Sequence, residues 1–389
     1  MGSQMMAPLA RTPEDWASLA PELGGRSFHG KQIFRWLHAR GVLDASRMTD
    51  LPGSMREALG KMGIAPEAEI LTVRRSSDDT RKMLLRVAGG FTIETVLIPG
   101  VVRGRIGHPS PVEQDADASA AAEDDDDDAT AQPDVVRVTQ CVSTQVGCAM
   151  GCVFCASGVA GWKRNLGPDE IALQVILGRA QLDPHEQLRN VVYMGMGEPL
   201  HNYEATAQSL RLLTHPDGIG LSSRRVTVST SGLIPEIERL GKDFDGHIGL
   251  AISLHAADDE TRSRLMPINK KYPLAKLMDA LRAYPLPKRR RITIEYTLVA
   301  GKNDTVDEAR KLVRLLRGLP VKVNLIPMNP IEASSLGPTS SGGVLSFQKI
   351  LCDAGYSCFI RRRRGDDVSA ACGQLALLGE KPKVRVNRT

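Results

Sequence analysis

Residues 148 to 155 read Cys148-Ala-Met-Gly-Cys152-Val-Phe-Cys155, and this stretch constrains the fold more than any other part of the chain. Three closely spaced thiolates on a loop can bind three irons of a cubane iron–sulfur cluster and leave the fourth iron open to a substrate. A zinc site with Cys141 as the fourth ligand is one alternative, although no second Cys-x-x-Cys or His pair follows. Buried or redox-active thiols without a metal are the other. The spacing favours the cluster and leaves both alternatives open.

Downstream of the cysteines, apolar segments of strand length alternate with helical patterns. Strands are predicted at 190–194, 225–229, 248–254, 291–298, 321–326 and 358–362. Helices are predicted at 168–181, 203–213, 273–283 and 304–317. Repeated strand–helix units build a parallel sheet with helices outside it. We therefore predict an α/β fold built as a barrel or partial barrel, with the active site at the C-terminal ends of its strands.

Three segments of different character precede this barrel, which would occupy residues 137–389. Residues 1–65 predict a small helical domain, because apolar side chains recur at helical spacing. Residues 66–100 predict a strand-rich linker that carries Glu94, with a hairpin at Gly89-Gly90. Residues 101–136 predict a disordered acidic insertion, because Ala and Asp dominate and no periodicity is present.

Composition and charge narrow the classes of protein that this chain can be. Of its 389 residues, 42% are hydrophobic and 24% charged, which excludes a disordered, collagenous or disulfide-dense protein. The net charge is +5, but residues 106–136 contain ten carboxylates and no Lys or Arg. The rest of the chain then holds 50 basic and 35 acidic residues, a net of +15, which suits a polyanionic partner. A solvated basic surface is the alternative.

The compartment follows from the cysteines and from the N-terminus. Four of the seven cysteines fall within residues 141–155, and no basic-then-apolar signal peptide begins the chain. Clustered thiols of this kind indicate a cytoplasmic protein that binds metal or does redox chemistry. Residues 138–162 carry no charge, but their cysteines, glycines and hydroxyls do not suit a membrane span.

Further motifs follow one another along the chain: Gln140-Cys-Val-Ser-Thr-Gln-Val-Gly-Cys148, Met194-Gly-Met-Gly-Glu-Pro-Leu200, Arg224-Arg-Val-Thr-Val-Ser-Thr-Ser-Gly232, Ile252-Ser-Leu-His-Ala256, Pro267-Ile-Asn-Lys-Lys-Tyr272, Asn324-Leu-Ile-Pro-Met-Asn-Pro330 and Arg364-Gly-Asp-Asp-Val-Ser-Ala-Ala-Cys-Gly-Gln374. Together with the three cysteines, they resemble the radical S-adenosylmethionine (SAM) superfamily and, within it, the RlmN family. Enzymes of that family methylate C2 of adenosine in 23S ribosomal RNA and in some tRNAs. The resemblance covers nearly the whole chain except the acidic insertion, and it implies a partial barrel of the radical SAM type.

The resemblance also implies which residues hold the cofactors. Cys148, Cys152 and Cys155 would bind a 4Fe–4S cluster, and SAM would bind at Gly197, Glu198, Ser229, Ser253, Leu254, His255 and Asn329. Read by themselves, the glycines would let backbone approach a ligand closely, or simply form a tight turn. A lone His255 would more often be structural, and Asn329 would be a turn residue.

Three further residues have implied roles in the reaction. Glu94 lies in the strand-like run Thr92-Ile-Glu-Thr-Val-Leu-Ile-Pro99, where burial would raise the pKa of its carboxyl and suit it as a general base. An outward-facing Glu on a half-exposed strand is the alternative. Cys372, among alanines near the C-terminus, would by itself be read as a packed core thiol. The resemblance implies that Glu94 is the base, Cys372 carries the methyl group and Cys141 resolves the adduct.

The implied reaction consumes two SAM molecules per turnover. One methylates Cys372, and the cluster reduces the other to give methionine and a 5′-deoxyadenosyl radical, which activates the methyl group. A radical route is needed because C2 of adenine is a poor nucleophile. Glu94 would remove the C2 proton, and Cys141 would free the product by forming a disulfide with Cys372. An electron donor of the flavodoxin or ferredoxin type is implied.

RNA binding is expected from the helical domain and from basic residues such as Arg361 to Arg364 and the tail 381–388. Some of those arginines could instead pair with Asp366 and Asp367. The target would be stem-loop RNA with an unstacked base, since the enzyme must extract the base. Two alternatives remain: a Cfr-type enzyme that methylates C8 of adenosine, and a non-enzymatic zinc protein that binds RNA.

Overall fold

The computed structural model describes residues 6–100, 135–331, 334–361, 364–371 and 373–375. Cys372 and the basic tail lie outside these ranges, as does nearly all of the expected acidic insertion. The end of that insertion was predicted at residue 136, which is wrong, because Val136 already begins a strand. The alternation of Val136 and Val138 with a polar residue between them is too short to predict a strand from sequence.

Twelve strands and eleven α-helices make up the described part of the chain. The strands are β1 Ala68–Arg75, β2 Arg81–Val87, β3 Phe91–Pro99, β4 Val136–Cys141, β5 Gln145–Val146, β6 Arg164–Asn165, β7 Glu186–Tyr193, β8 Val226–Thr230, β9 Gly249–Ser253, β10 Ile292–Leu298, β11 Val321–Pro327 and β12 Ser357–Ile360. The helices are α1 Pro13–Leu19, α2 His29–Phe34, α3 Gly53–Met62, α4 Ala156–Ala160, α5 Pro168–Arg179, α6 Tyr203–Thr214, α7 Ile234–Asp243, α8 Asp259–Leu265, α9 Leu274–Ala283, α10 Val306–Leu315 and α11 Ser341–Asp353. None of these helices has the length and apolar character that crossing a membrane requires.

Ten of the strands form one sheet in the order β1-β2-β3-β4-β7-β8-β9-β10-β11-β12. From β4 onward neighbouring strands are parallel, whereas β1, β2 and β3 pair in antiparallel fashion and join the sheet at β4. This confirms the predicted α/β fold with a mainly parallel sheet and helices between its strands. Residues 66–100, expected as a strand-rich linker, form β1–β3 and so extend the same sheet.

The N-terminal helices pack against the helical layer of the barrel. Thr12 begins α1 with a capping box, in which its hydroxyl accepts the Asp15 amide hydrogen and the Asp15 carboxylate accepts that of Thr12. The core of this unit contains Trp16 and Phe34, and it is continuous with side chains of α5 and α6 such as Ile176. The unit is therefore joined to the barrel by a shared apolar core rather than by a flexible connection.

Candidate active site

The three cysteines lie on the loop between β5 and α4. Cys155 caps the N-terminal end of α4, and its amide donates to the Cys152 carbonyl oxygen at 3.3 Å. Gly147 has φ +74°, and a Cβ atom there would lie 1.8 Å from the Gly161 carbonyl oxygen, so only glycine fits. The Cys148 amide donates to that same oxygen at 3.3 Å. The start of the loop is thus packed tightly against Gly161, the residue that follows α4, which restricts the position of the thiols.

The thiols line a cavity of about 880 Å³ that is partly open to solvent. It lies at the C-terminal ends of β7 to β11, where a barrel active site was expected. The structure brings nine of the predicted cofactor residues to its wall: Cys148, Cys152, Cys155, Gly197, Glu198, Ser229, Ser253, His255 and Asn329. Leu254, the remaining predicted residue, is fully buried next to Ser253 and does not line the cavity. Its amide donates to the Glu295 carbonyl oxygen at 3.0 Å.

Burial raises the pKa of all three thiols. The pKa of Cys148 is raised to about 12, and that of Cys152 lies well above its usual range because of burial and of the neighbouring Cys155 and Cys148. The pKa of Cys155 is raised by burial as well. Three thiolates in this cavity therefore need a positive charge, which a metal centre supplies on binding.

The donor set fits a cluster held by cysteine thiolates. Within the described ranges, no three Cys, His, Asp or Glu side chains converge as the ligands of a single metal ion do. Thiolates that bind different irons of a cubane lie farther apart than the ligands of one ion, so this finding does not argue against a cluster. Among the described residues, Cys141, the proposed fourth ligand of a zinc site, does not line the cavity.

Glu198 is held rigidly at the cavity wall just after β7. It is 4% exposed, and its carboxylate accepts hydrogen bonds from the Ser231 amide at 2.8 Å and the Leu200 amide at 3.1 Å. The Glu198 amide donates to Gln145 Oε1 at 2.9 Å. Burial raises the pKa of this carboxyl, although the hydrogen bonds act in the opposite direction. A fixed, buried carboxylate of this kind suits a cationic group on a ligand.

The glycines next to Glu198 permit close approach, but mainly to protein atoms. A Cβ atom on Gly195 would lie 2.7 Å from both the Val142 carbonyl oxygen and Ser143 Oγ. Gly197 has φ +101°, and a Cβ atom there would lie 2.7 Å from the Gln145 amide nitrogen. From the sequence, these glycines were predicted to let the backbone approach a ligand. The structure gives another reason for glycine at these positions, which is the close packing of this loop against the segment that follows β4.

His255 is a neutral hydrogen-bonding group in the wall. Burial lowers its pKa to about 3, with a further contribution from the Arg262 charge. Its Nδ1 accepts the Thr297 amide hydrogen at 2.9 Å, so the ring hydrogen of the neutral imidazole lies on Nε2. Its ring meets that of Phe154 edge to face, with centroids 4.8 Å apart. His255 can thus act as a hydrogen-bond donor but not as an acid at neutral pH.

Sequence reasoning missed Glu295, which forms part of the same wall. Ser229 Oγ donates to Glu295 Oε2 at 2.9 Å, and Ser253 Oγ lies 3.5 Å from Ser229 Oγ. Glu295 is 5% exposed and also pairs with Arg361 at 3.7 Å. The available signal was the alternation of polar and apolar residues along β10, which places a carboxylate on the inner face.

Arg262 is a second residue that the sequence did not reveal. Its guanidinium is fully buried and donates to the carbonyl oxygens of Ser231 at 2.7 Å, Leu254 at 3.0 Å and Ser253 at 3.2 Å. It also donates to Asn269 Oδ1 at 2.9 Å. Burial lowers the pKa of Arg262 to about 10, so it stays charged at neutral pH. This one side chain holds the ends of β8 and β9 together behind the cavity.

Five polar side chains share one face of the sheet, as its pairing register shows: Glu94, Cys141, Ser229, Ser253 and Glu295. Residues paired across neighbouring strands point to the same side, and so do residues two apart along one strand. The opposite face is mainly apolar, with buried residues such as Val191, Val228, Ile252 and Ile294, although the buried Thr95 and Gln140 also lie on it. The polar face reaches the cavity at Ser229, Ser253 and Glu295, while Glu94 and Cys141 lie on the same face but do not line the cavity.

The three residues with implied roles in the reaction are described unequally. Glu94 is 2% exposed, which excludes the outward-facing alternative. Its carboxylate Oε1 lies 2.9 Å from the Lys82 ammonium. Cys141 is buried at the end of β4, whereas Cys372 lies outside the described residues. The expected disulfide would join Cys141 to Cys372 and so includes a residue outside the described ranges; no two of the described cysteines are joined.

Two arginines of the basic run that was predicted to bind RNA face inward. The Arg361 side chain is 11% exposed and pairs with Glu295. The Arg364 side chain is 14% exposed and lies 3.8 Å from Asp78. Each has a carboxylate from another part of the sheet, which keeps it from the surface. The other two arginines of the run lie outside the described residues.

Comparisons with known proteins agree with this geometry. Residues 142–316 match the radical SAM superfamily, and residues 12–64 match the N-terminal domain of ribosomal RNA large subunit methyltransferases. A curated relative from Sorangium cellulosum, named dual-specificity RNA methyltransferase RlmN, is 68% identical over 99% of both chains. A protein of the same name from Geobacter sulfurreducens is 42% identical over 90% of this chain and 87% of its own.

A solved structure supports the same assignment at the level of the fold. The crystal structure of a radical SAM methyltransferase from Sphaerobacter thermophilus is 38% identical, with a TM-score of 0.81 over 95% of this chain and 99% of that one. The similarity therefore extends over the barrel and the N-terminal helices together. The chain belongs to the RlmN family of radical SAM methyltransferases.

Proposed function

We propose that this protein methylates C2 of an adenosine in 23S ribosomal RNA and in tRNA. The observation that carries the proposal is the meeting of three half-buried cysteines and the polar strand ends of the sheet in one cavity. The names of its curated relatives, dual-specificity RNA methyltransferases, support action on two classes of RNA. The C2 position follows from membership of the family.

Cys148, Cys152 and Cys155 would hold a 4Fe–4S cluster in this cavity, since they are its three sulfur donors. When bound, the cluster supplies the electron that splits SAM into methionine and a carbon radical.

The remaining wall residues would hold SAM. The Glu198 carboxylate is fixed by two backbone amides and suits the ammonium of the methionine portion. Ser229, Ser253, the Nε2–H of His255 and Asn329 offer hydrogen bonds, while Gly197 and Leu254 contribute backbone and apolar contact. Two SAM molecules would be used per turnover, one as methyl source and one as radical source.

Three groups of the chain would carry the transfer itself. Cys372 would take a methyl group from SAM by displacement and carry its carbon to adenine C2. Glu94 would then remove the C2 proton, a role that its burial on the cavity face of the sheet supports. Cys141, on the same face, would attack the Cys372 sulfur and release the RNA, which leaves a disulfide that an external dithiol reduces.

The partners follow from this chemistry. The helical unit within residues 1–65 would bind RNA, with the barrel at 137–389 as the catalytic domain and the segment 66–100 supplying Glu94. A flavodoxin- or ferredoxin-type protein would supply the electron. The reaction would take place in the cytoplasm, where ribosomal RNA and tRNA are found.

An anaerobic assay with reductant, SAM and either a 23S rRNA fragment or tRNA tests the proposal. The RNA is digested to nucleosides, and mass spectrometry against standards locates the methyl group. We expect 2-methyladenosine from both RNAs. Methylation at C8 would indicate a Cfr-type activity instead. A colourless protein that contains zinc and binds RNA without methylating it would favour the non-enzymatic alternative.

A further inference from the structure

Lys82 on β2 makes two polar contacts that the proposed reaction does not yet use. Its ammonium Nζ lies 2.9 Å from Glu94 Oε1 and donates to the Ser369 carbonyl oxygen at 3.2 Å. The Lys82 side chain is 11% exposed and that of Glu94 2%. A lysine ammonium so far out of water is unusual unless its charge is compensated.

The pairing of β2 with β3 explains the first contact. Leu84 stands opposite Glu94, and Lys82 stands two residues earlier on β2, opposite Val96. Lys82 and Glu94 are therefore diagonal neighbours on the cavity face of the sheet, within reach of a long side chain. The ammonium therefore holds one oxygen of the buried carboxylate in place.

The second contact belongs to a docking interaction between the β1–β2 turn and the segment after β12. The Gly365 amide donates to Asp78 Oδ2 at 3.1 Å, and the Ser77 amide donates to Asp367 Oδ2 at 3.1 Å. A Cβ atom on Gly365 would lie 2.9 Å from Thr80 Cγ2, so the two segments are closely packed. Ser369, which Lys82 contacts, stands three residues before Cys372 in the sequence.

We infer that Lys82 is a positioning residue, which orients the Glu94 carboxylate and ties it to the segment that leads to Cys372. The inference rests on the proposed function, in which Glu94 takes the C2 proton from an adduct carried by Cys372. Lys82 itself gains and loses no atom or electron in the reaction. Its effect is exerted through Glu94, because its charge is nearest to that carboxylate.

The test compares Lys82→Met, Lys82→Arg and a matched control, Arg86→Met. Arg86 lies on the same strand and face as Lys82, but its side chain is 52% exposed and pairs with Glu69 at the surface. For each reconstituted protein, three quantities are measured anaerobically: methyl loading of Cys372 by mass, nuclease-sensitive covalent RNA adduct on denaturing gels, and methylated nucleoside. The ratio of trapped adduct to product reports on the steps after adduct formation, which are proton removal by Glu94 and release by Cys141.

We expect Lys82→Met to load methyl and form the adduct, but to release product at least tenfold more slowly, so that the adduct accumulates. Lys82→Arg should restore most of the product, since it keeps a cation, and Arg86→Met should behave as the wild type. If methyl loading, adduct and product all decrease by the same factor in Lys82→Met, the inference is wrong, because loss of a merely structural residue affects every step alike. Wild-type ratios in Lys82→Met would overturn it as well.

A double variant keeps the inference testable if Lys82→Met alone folds poorly. Glu94→Gln should already trap the adduct, so adding Lys82→Gln should change the ratio little, because both substitutions act on one step. A further large loss of adduct in the double variant would mean that Lys82 acts independently of Glu94. If the wild type makes no methyladenosine, or Glu94→Gln traps nothing, the proposed function fails rather than the role of Lys82.

Discussion

Two charged side chains at or behind the cavity wall, Arg262 and Glu198, are buried, and hydrogen bonds stabilise the charge of each. Arg262 has four oxygen acceptors, and Glu198 has two amide donors. The three thiols are different, because burial holds them in the neutral form. Of these groups, only the thiols need a bound metal centre in order to lose their protons.

Iron binding should therefore depend on the three cavity thiols and not on Cys141. We expect Cys152→Ala to lose most of its iron after anaerobic reconstitution, because one ligand is removed, while Cys141→Ala keeps a full complement. Iron and sulfide analysis with the absorbance near 400 nm provides the measurement. Loss of iron in Cys141→Ala would instead favour four thiolate ligands and close the iron site that SAM requires.

Removal of the Arg262 guanidinium should destabilise the fold. Arg262→Met would leave the carbonyl oxygens of Ser231, Ser253 and Leu254 buried without this donor, at a cost of about 3 kcal/mol or more in the free energy of unfolding. Arg264 on the same helix is the control: its side chain is 68% exposed and pairs loosely with Glu260, so Arg264→Met should change stability by less than about 0.5 kcal/mol. Urea titration measures both, and equal stabilities would contradict the role assigned to Arg262.

Which site residues the sequence could predict depended on how local their signal is. The cysteines are close in sequence, so their spacing alone indicated a cluster or metal site, whereas Glu198 and His255 were predicted from the family resemblance of the short motifs that hold them. Glu295 and Arg262 act through contacts with residues 66 and 31 positions away, such as Ser229 and Ser231. The sequence around Glu295 and Arg262 does not predict these contacts, because the partners come together only when the sheet forms.

At the scale of elements, hydrophobic periodicity predicted those with a strong apolar pattern. The strands predicted at 291–298 and 321–326 correspond to β10 and β11. β4 and α11 were not predicted, each for a different reason. β4 is short and follows a biased segment, and α11 begins with Gly342 and Gly343, which weaken the helical signal. Both are stabilised by their neighbours in the fold rather than by local propensity.

The contact between the N-terminal helices and the barrel should weaken in acid because of His38. This residue is fully buried in the turn that continues α2 and stacks on Phe34, with ring centroids 4.4 Å apart. Its backbone carbonyl oxygen accepts a hydrogen bond from Arg179 of α5 at 2.9 Å. Burial lowers the pKa of His38 from 6.5 to about 4, so the folded state keeps it neutral where the unfolded state binds a proton.

Stability from this source is fully present above pH 6.5 and is lost as the pH falls toward 4. Between pH 6.5 and 5 the loss should be about 2 kcal/mol for this one histidine. Urea unfolding at both pH values tests the effect in the wild type, in His38→Leu and in His247→Leu, which replaces an exposed histidine. The pH-dependent loss should shrink in His38→Leu only; an unchanged loss there would assign the acid sensitivity to other groups.

At the scale of the whole molecule, the connection between β3 and β4 spans little distance despite its length. The two strands are antiparallel neighbours, with Pro99 opposite Val138. Beyond that pair, the Gly100 amide donates to the Arg137 carbonyl oxygen at 2.7 Å. Two strands held in this way can be joined by a loop of about two to five residues. The many residues between them are therefore not needed to close the sheet.

Deletion of residues 105–134 should leave both the fold and methylation intact. The segment holds ten carboxylates and almost no large apolar side chains, so it cannot offset its ordering entropy by burial. At physiological salt, its charges are screened over about 8 Å. We therefore expect turnover and RNA affinity within about twofold of the wild type at 0.15 M salt, measured by methylation assay and by titration with a labelled stem-loop.

A large loss of activity would mean that the segment orders on binding and contributes contacts. A gain in affinity that grows as salt is lowered would mean that the acidic segment competes with RNA for the basic remainder of the chain, whose net charge of +15 follows from the sequence.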